Sequence, residues 1–138
     1  MTKDELREYR SLKTELGQLN DEKTRLRSIA ENCVRSMGQI KTSSGHDPLP
    51  GIMDKLSEVD EKLLPRLKKS ADMLVRIETS IDGLPAQERV LIRAYYIEGK
   101  RWEQVADEVG YSVRQIHYIH GNALRKIGRG ARDNAGAE

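Results

Sequence analysis

The chain has 138 residues, of which 33% are charged, 4% aromatic and none Phe, and its formal net charge is +2. With a mean hydropathy of −0.69, this composition excludes a thick globular core and suits long solvated helices that bury only a stripe. No apolar run approaches the roughly 18 residues of a membrane span. The charged start MTKDELREYR has no signal-peptide core, and the single cysteine, Cys33, provides neither a disulfide framework nor a cysteine metal cage. The expectation is a cytoplasmic chain with no membrane contact and no cofactor.

From Leu6 to Met37 the sequence reads as helix, with no proline and one interior glycine, Gly17. Tyr9, Leu12, Leu16, Leu19, Lys23, Leu26, Ala30, Cys33 and Met37 recur at alternating steps of three and four, the spacing of a coiled-coil seam. Lys23 interrupts that seam. KTSSGHDPLPG, Lys41 to Gly51, is a break, and His46 within it reads as a solvated loop residue. Helix resumes to Asp82 with Ile52, Leu56, Val59, Leu63, Leu67, Leu74, Ile77 and Ile81 on one broad face. Pro65 lies inside it, which predicts a kink or a junction of two helices at Leu64–Pro65.

Each arm is about 50 Å long at a rise of 1.5 Å per residue, and the short connection predicts an antiparallel helical hairpin over residues 1–82. Two helices cannot shield so wide a stripe. A second copy would do so by completing a four-helix bundle, so the hairpin is expected to make a homodimer. The alternative is that the C-terminal domain folds back onto the hairpin of its own chain.

Asp82-Gly83-Leu84-Pro85 opens a second domain, expected over residues 83–129. A helix from Ala86 to Ile97 ends at Gly99, Arg101 to Val109 makes a short helix, and Gly110-Tyr111 makes a turn. Ser112 then caps a third helix running to Ile127, and residues 130–138 have nothing to bury and read as a disordered tail.

These short helices meet the packing requirements of a helix-turn-helix. A small residue, Ala106, stands where the second helix crosses closely, and Gly110 takes the turn position that needs positive φ. Val105, Val109, Ile116 and Ile119 supply the inner faces. No acid occurs between Glu108 and Asp133, while Arg114, Arg125, Lys126, Arg129, Arg132, His117 and His120 fall in that gap, with both histidines read as outward-facing. A basic stripe of this kind points to a polyanion. In a helix-turn-helix the N-terminal outer face of the recognition helix, residues 112–127 here, meets base edges in the major groove. That assigns base contacts to Arg114, Gln115, His117 and Tyr118, with Arg suited to guanine and Gln to adenine. Lys100, Arg101, Ser112, Arg125, Lys126 and Arg129 would meet phosphates.

The span LPAQERVLIRAYYIEGKRWEQVADEVGYSVRQIHYIHGNALRKI resembles region 4 of bacterial sigma factors. Leu84-Pro85, Glu88-Arg89, Gly110, Ile116 with Ile119, and Ala123-Leu124-Arg125-Lys126-Ile127 carry the resemblance, over about a third of the chain. With a helical half before it, the arrangement resembles small phage and prophage transcription regulators of the ArpU-like type. The resemblance implies a sequence-specific regulator binding double-stranded DNA, and places base contacts at Val113, Arg114, Gln115, His117 and Tyr118. Val113 departs from the pattern because its side chain cannot hydrogen-bond a base. No counterpart of the sigma domain that melts the −10 element is found, so a complete sigma factor is not expected.

Three other classes fit the sequence less well. An enzyme is not expected, since no Ser/His/Asp or Cys/His set is discernible. His117 and His120 have metal-ligand spacing, but no further ligand stands beside them, so no metal is expected. A small terminase-like DNA-packaging subunit would share the helix-turn-helix but form a ring of many copies. A sigma-like module contacting RNA polymerase would not need to bind duplex DNA alone.

Overall fold

The computed structural model describes residues 1–37 and 47–136, with side chains described through residue 130. His46 and most of the expected break lie outside the described residues. All regular structure among the described residues is helical: α1 (Lys3–Met37), α2 (Leu49–Ile81), α3 (Ala86–Ile92), α4 (Trp102–Val109) and α5 (Val113–Gly136). None of these helices is long and apolar enough to cross a membrane.

Local chemistry sets the helix starts. Thr2 and Glu5 cap α1 reciprocally: the Glu5 N–H donates to Thr2 Oγ1 at 3.3 Å and the Thr2 N–H to Glu5 Oε2 at 2.9 Å. The Arg76 guanidinium, 2.7 Å from the other Glu5 oxygen, holds that carboxyl below its ordinary range, with the Thr2 N–H adding to the effect. Asp47 Oδ1 accepts the Leu49 N–H at 2.9 Å ahead of α2, with Pro48 between them lacking a donor. α2 continues through Pro65 as one helix, so the expected junction at Leu64–Pro65 is absent. The missing N–H removes one hydrogen bond, and long flanking turns on both sides carry the helix across it.

The helix expected from Ala86 to Ile97 is α only to Ile92. Arg93–Ile97 form a π-helical turn, in which the Glu98 N–H reaches back to the Arg93 carbonyl at 2.8 Å. The wider turn lets two successive tyrosines both find partners, Tyr96 buried and Tyr95 against Trp102. At the other end of the chain α5 runs to Gly136, past Ile127 and into the segment expected to be a disordered tail. No proline stands in that stretch to stop it.

Contacts divide the chain into two compact units, one of residues 1–14 with 69–138 and one of residues 15–68. The division therefore does not fall between residues 82 and 83. In the first unit Leu6, Tyr9, Leu12, Met73, Ile77 and Ile81 are buried together with the inner faces of α3, α4 and α5. The ends of the apolar stripe are thus covered from within the chain, the alternative noted above. Salt bridges Arg76–Glu5 and Lys69–Glu8 show α1 and α2 antiparallel there.

The 15–68 unit is thinner. Among its described residues only Ala30, Val59 and Leu63 are buried, and the seam leucines Leu16, Leu19 and Leu26 are half-buried. Lys23, the interruption in the seam, reaches Asp60 at 2.6 Å, and Arg66 reaches Glu15 at 2.8 Å, again in antiparallel order. These exposed pairs contribute at most about 1 kcal/mol each and act chiefly on register. Leu67, expected on the covered face, is 51% exposed. After Leu63 the inward positions are Arg66 and Ser70, both half-buried, which turns Leu67 onto the flank.

Two glycines make opposite demands. Gly110 ends α4 at φ +75°, where its N–H and that of Tyr111 both donate to the Ala106 carbonyl. Gly121 sits inside α5 with open space where a Cβ would stand. Gly110→Ala should therefore lower the unfolding free energy by about 1–2 kcal/mol, and Gly121→Ala should raise it by about 0.5–1 kcal/mol. Urea titration of the two variants checks both signs; a destabilising Gly121→Ala would mean that α5 is not regular there.

Candidate nucleic-acid interface

The inner faces of α4 and α5 are close to those expected. Val105 and Ala106 are buried, as are Ile116, Ala123 and Ile127, while Val109 and Ile119 are half-buried. Between the helices, Gly110 and Tyr111 reverse the chain and Ser112 begins α5. The Gln115 N–H donates to Ser112 Oγ at 3.2 Å, and the Ser112 N–H donates to Gln115 Oε1 at 3.0 Å. This reciprocal cap fixes the first turn.

The fourth inward position of α5 is taken by His120, which corrects the expectation that both histidines face outward. One of its ring nitrogens, Nε2, lies 2.7 Å from the Tyr96 hydroxyl, and its ring is 4.7 Å from that of Trp102. The spacing 116, 120, 123, 127 is itself a helical stripe, and with Ile119 half-buried beside it His120 widens the expected inward set rather than replacing a member. Burial pushes the His120 pKa down to about 4, helped by the charges of Lys3, His117 and Arg7. Burial pushes Tyr96 up to about 12, with Tyr95 adding to the shift. Both are neutral near pH 7, and the pair acts as a buried hydrogen bond.

Trp102 and Arg10 were missed in the sequence. The Trp102 ring stacks on Tyr95 with centroids 3.7 Å apart and planes 9° apart, and Arg10 lies over the same tyrosine at 4.2 Å. Arg10 also donates to the carbonyls of Tyr95 at 3.1 Å and Lys100 at 3.4 Å, and Lys13 donates to that of Ile97. The signal available was the only tryptophan placed seven residues after a Tyr-Tyr pair. Nothing local marked Arg10, which is 85 positions from Tyr95.

The four residues expected at base edges, Arg114, Gln115, His117 and Tyr118, are all exposed, Tyr118 to 71%. They share the first two turns of α5. Val113, on the same turns, is 37% exposed. Gln115 is half committed, because the cap occupies its oxygen and leaves its amide N–H groups free.

The expected phosphate-contacting cations separate into two groups. Lys100 donates to Glu108 and to Glu98, each at 2.8 Å, and these bonds raise its pKa. Lys126 donates to Oε1 of Glu88 at 2.8 Å; that carboxylate is buried, and its Oε2 has no partner among the described residues. Arg125 donates to Asn122 Oδ1 while remaining exposed. Arg101, at the start of α4, and Arg129 are exposed and make no ion pair among the described residues.

Two outcomes follow from the internal links. Lys126→Ala should lower stability by about 1–3 kcal/mol by leaving a buried acceptor without its cation, and adding Glu88→Gln should recover part of the loss; denaturant unfolding of the single and double variants measures it. For His120 the folded pKa lies below the unfolded value near 6.5, so the unfolded chain binds more protons between pH 6.5 and about 4. Stability should therefore fall through that window as pH falls, by about 1–2 kcal/mol once the partial exposure of the ring is allowed for. His120→Gln should flatten the fall above pH 4.5, and an unchanged slope would show that the imidazole titrates normally.

Set against known protein families, characterised proteins and solved structures, the chain matches none.

Proposed function

We propose that this chain is a sequence-specific DNA-binding transcription regulator of the phage or prophage type, with a sigma-region-4-like helix-turn-helix. α4, the Gly110 turn and α5 are the helix-turn-helix, α5 enters the major groove of double-stranded DNA, and the N-terminal helices serve a homodimer. The observation that carries the reading is the exposed cluster Arg114, Gln115, His117 and Tyr118 on the first two turns of a capped helix whose other side is buried. No acid follows on that helix until Asp133.

The geometry refines the assignments. Arg114, with its guanidinium free of ion pairs among the described residues, is the base reader suited to guanine. Gln115 offers only donors once its oxygen serves the cap, so it suits guanine O6 or N7, or thymine O4, better than a bidentate pair with adenine. Arg101, Ser112 and Arg129 meet phosphates, and Arg125 joins them by leaving Asn122. Lys126 holds α5 to Glu88 instead, and Lys100 closes the turn between its two glutamates.

A second reading has an observation of its own. Val90 is 50% and Tyr111 is 38% exposed, beside a cleft that also reaches Ala86, Gln87 and Ile119. That apolar surface suits a protein contact, such as the sigma-like one with RNA polymerase. A chain acting only in that way would not bind duplex DNA by itself.

Sequence selection from random duplex DNA, followed by titration over salt, tests the proposal. Arg114→Ala should cost about 1–3 kcal/mol on the selected site and little on random DNA. Arg129→Ala should weaken both equally and reduce the salt slope by about 1, whereas Lys126→Ala should leave the slope unchanged. Absence of duplex binding, or equal losses for all three variants on both DNAs, overturns the reading.

A further inference from the structure

α2 carries a second apolar row that nothing among the described residues covers. Met53, Leu64 and Leu67 are 50%, 58% and 51% exposed, on the flank beside the inward-facing Val59 and Leu63. All three belong to the 15–68 unit, whose own core is thin. A run of large aliphatic side chains left in water along one helix is a contact surface in want of a partner.

The charges bordering the row identify that partner. Glu61 precedes Leu64 by three positions and Lys68 follows it by four, so one acid and one base flank the same exposed leucine along the helix. Both are exposed and neither has an ion-pair partner among the described residues, whereas Asp60 and Arg66 are already paired with Lys23 and Glu15. On the N-terminal side Asp54, Lys55, Glu58 and Asp60 sum to net acid, with Lys55 on Glu58; from Lys62 to Lys69 every charged residue is basic, Arg66 among them turned inward onto Glu15. A surface acidic at one end and basic at the other complements itself only when a second copy is turned end for end.

We infer that α2 pairs with α2 of a second copy of this chain, antiparallel, about a two-fold axis beside Leu64. Leu64 packs on the partner's Leu64, and Glu61 of each copy faces the partner's Lys68. Parallel pairing would set acid on acid and base on base. The contact is confined to one face of one helix, below the about 800 Å² per partner of a tight complex, so the dimer forms at micromolar concentration. The inference supplies the surface for the dimer of the proposed regulator and rests on that reading for its purpose; the experiment below contains no DNA, so the two stand or fall separately.

The full chain is sedimented from 1 to about 100 µM, a range set by the small contact area, and a dimer is expected at the upper end. Glu61→Lys should shift the equilibrium to monomer by at least tenfold, and combining it with Lys68→Glu should restore the dimer. In a Cys33→Ser background, Leu64→Cys should give a disulfide-linked dimer on air oxidation. Met53→Cys should not, since antiparallel packing holds its two copies about 33 Å apart along the helix axis. Monomer mass throughout the range, a ring of many protomers, failure of the double charge reversal to restore the dimer, or equal cross-linking at both positions would overturn the inference. The charge variants lie on the surface and the first measurement uses the unmodified chain, so loss of folding in a cysteine variant does not decide the result.

Discussion

The carbonyl groups released at the end of the π-helical turn are the constraint on which the larger unit depends. Those of Tyr95 and Ile97 lie in its last turn, where the negative pole of a helix collects, and that of Lys100 lies in the link that leads to α4. Water is one possible partner; here two cations from α1 take the place instead, Arg10 for Tyr95 and Lys100, and Lys13 for Ile97. Because Arg10 also covers the Tyr95 ring, the same side chain satisfies a dipole and seals an aromatic face. Leu6, Tyr9 and Leu12 are buried on the same stretch of α1. The start of the chain therefore belongs to the unit that contains α3, α4 and α5, and the compact division follows this chemistry rather than the order of the sequence.

From that anchored turn, two polar links reach α5. Tyr96 holds His120, and Glu88, one helical segment earlier, holds Lys126. Apolar contacts alone tolerate sliding and rotation at little change in buried area, whereas a hydrogen bond at 2.7 Å and a salt bridge at 2.8 Å do not. The Oε2 of Glu88, unpartnered among the described residues, fits this view: a carboxylate buried with one oxygen unsatisfied is a poor source of stability, and its effect lies in orientation. Fixed at two points six residues apart, at half-buried His120 and at Lys126 on the flank, α5 presents Arg114, His117 and Tyr118 on a face set by the rest of the fold.

Much of this was legible in the sequence where the determinants are local. The start of α5 followed from Ser112, the end of α4 from Gly110, and Val105, Ala106, Ile116, Ala123 and Ile127 from periodicity. The break before α2 was marked by its prolines. What could not be read depends on partners distant in the sequence. His120 was placed outside because a helical stripe through 116 and 119 differs little from one through 116 and 120, and only the Tyr96 hydroxyl, 24 positions away, distinguishes them. The cations of the candidate site looked alike as letters, yet Lys100 and Lys126 have carboxylate partners and Arg129 has none among the described residues. At Pro65 the expected junction of two helices is absent, since a single lost hydrogen bond does not outweigh a helix that continues for several turns on either side.

The two units also differ in what they leave unfinished. In the larger one, Leu6, Tyr9 and Leu12 of α1 and Met73, Ile77 and Ile81 of α2 are buried in a unit that also holds α3, α4 and α5, so burial of these residues is completed by the chain itself. Among the described residues between 15 and 68 the helices are parts of α1 and α2, and a helix pair can cover one face of each. The inward positions of that stretch include Lys23 and Arg66, whose long stems pack while their charges pair with Asp60 and Glu15. Charged residues at inward positions weaken a two-helix seam but define its register, while leucines displaced to the flank add nothing to it. A sequence that spends its apolar residues outside and its ion pairs inside is poorly suited to stabilising an isolated hairpin. It is better suited to one whose outer face is buried in an assembly, which is why the association inferred above uses α2 rather than the heptad seam of α1.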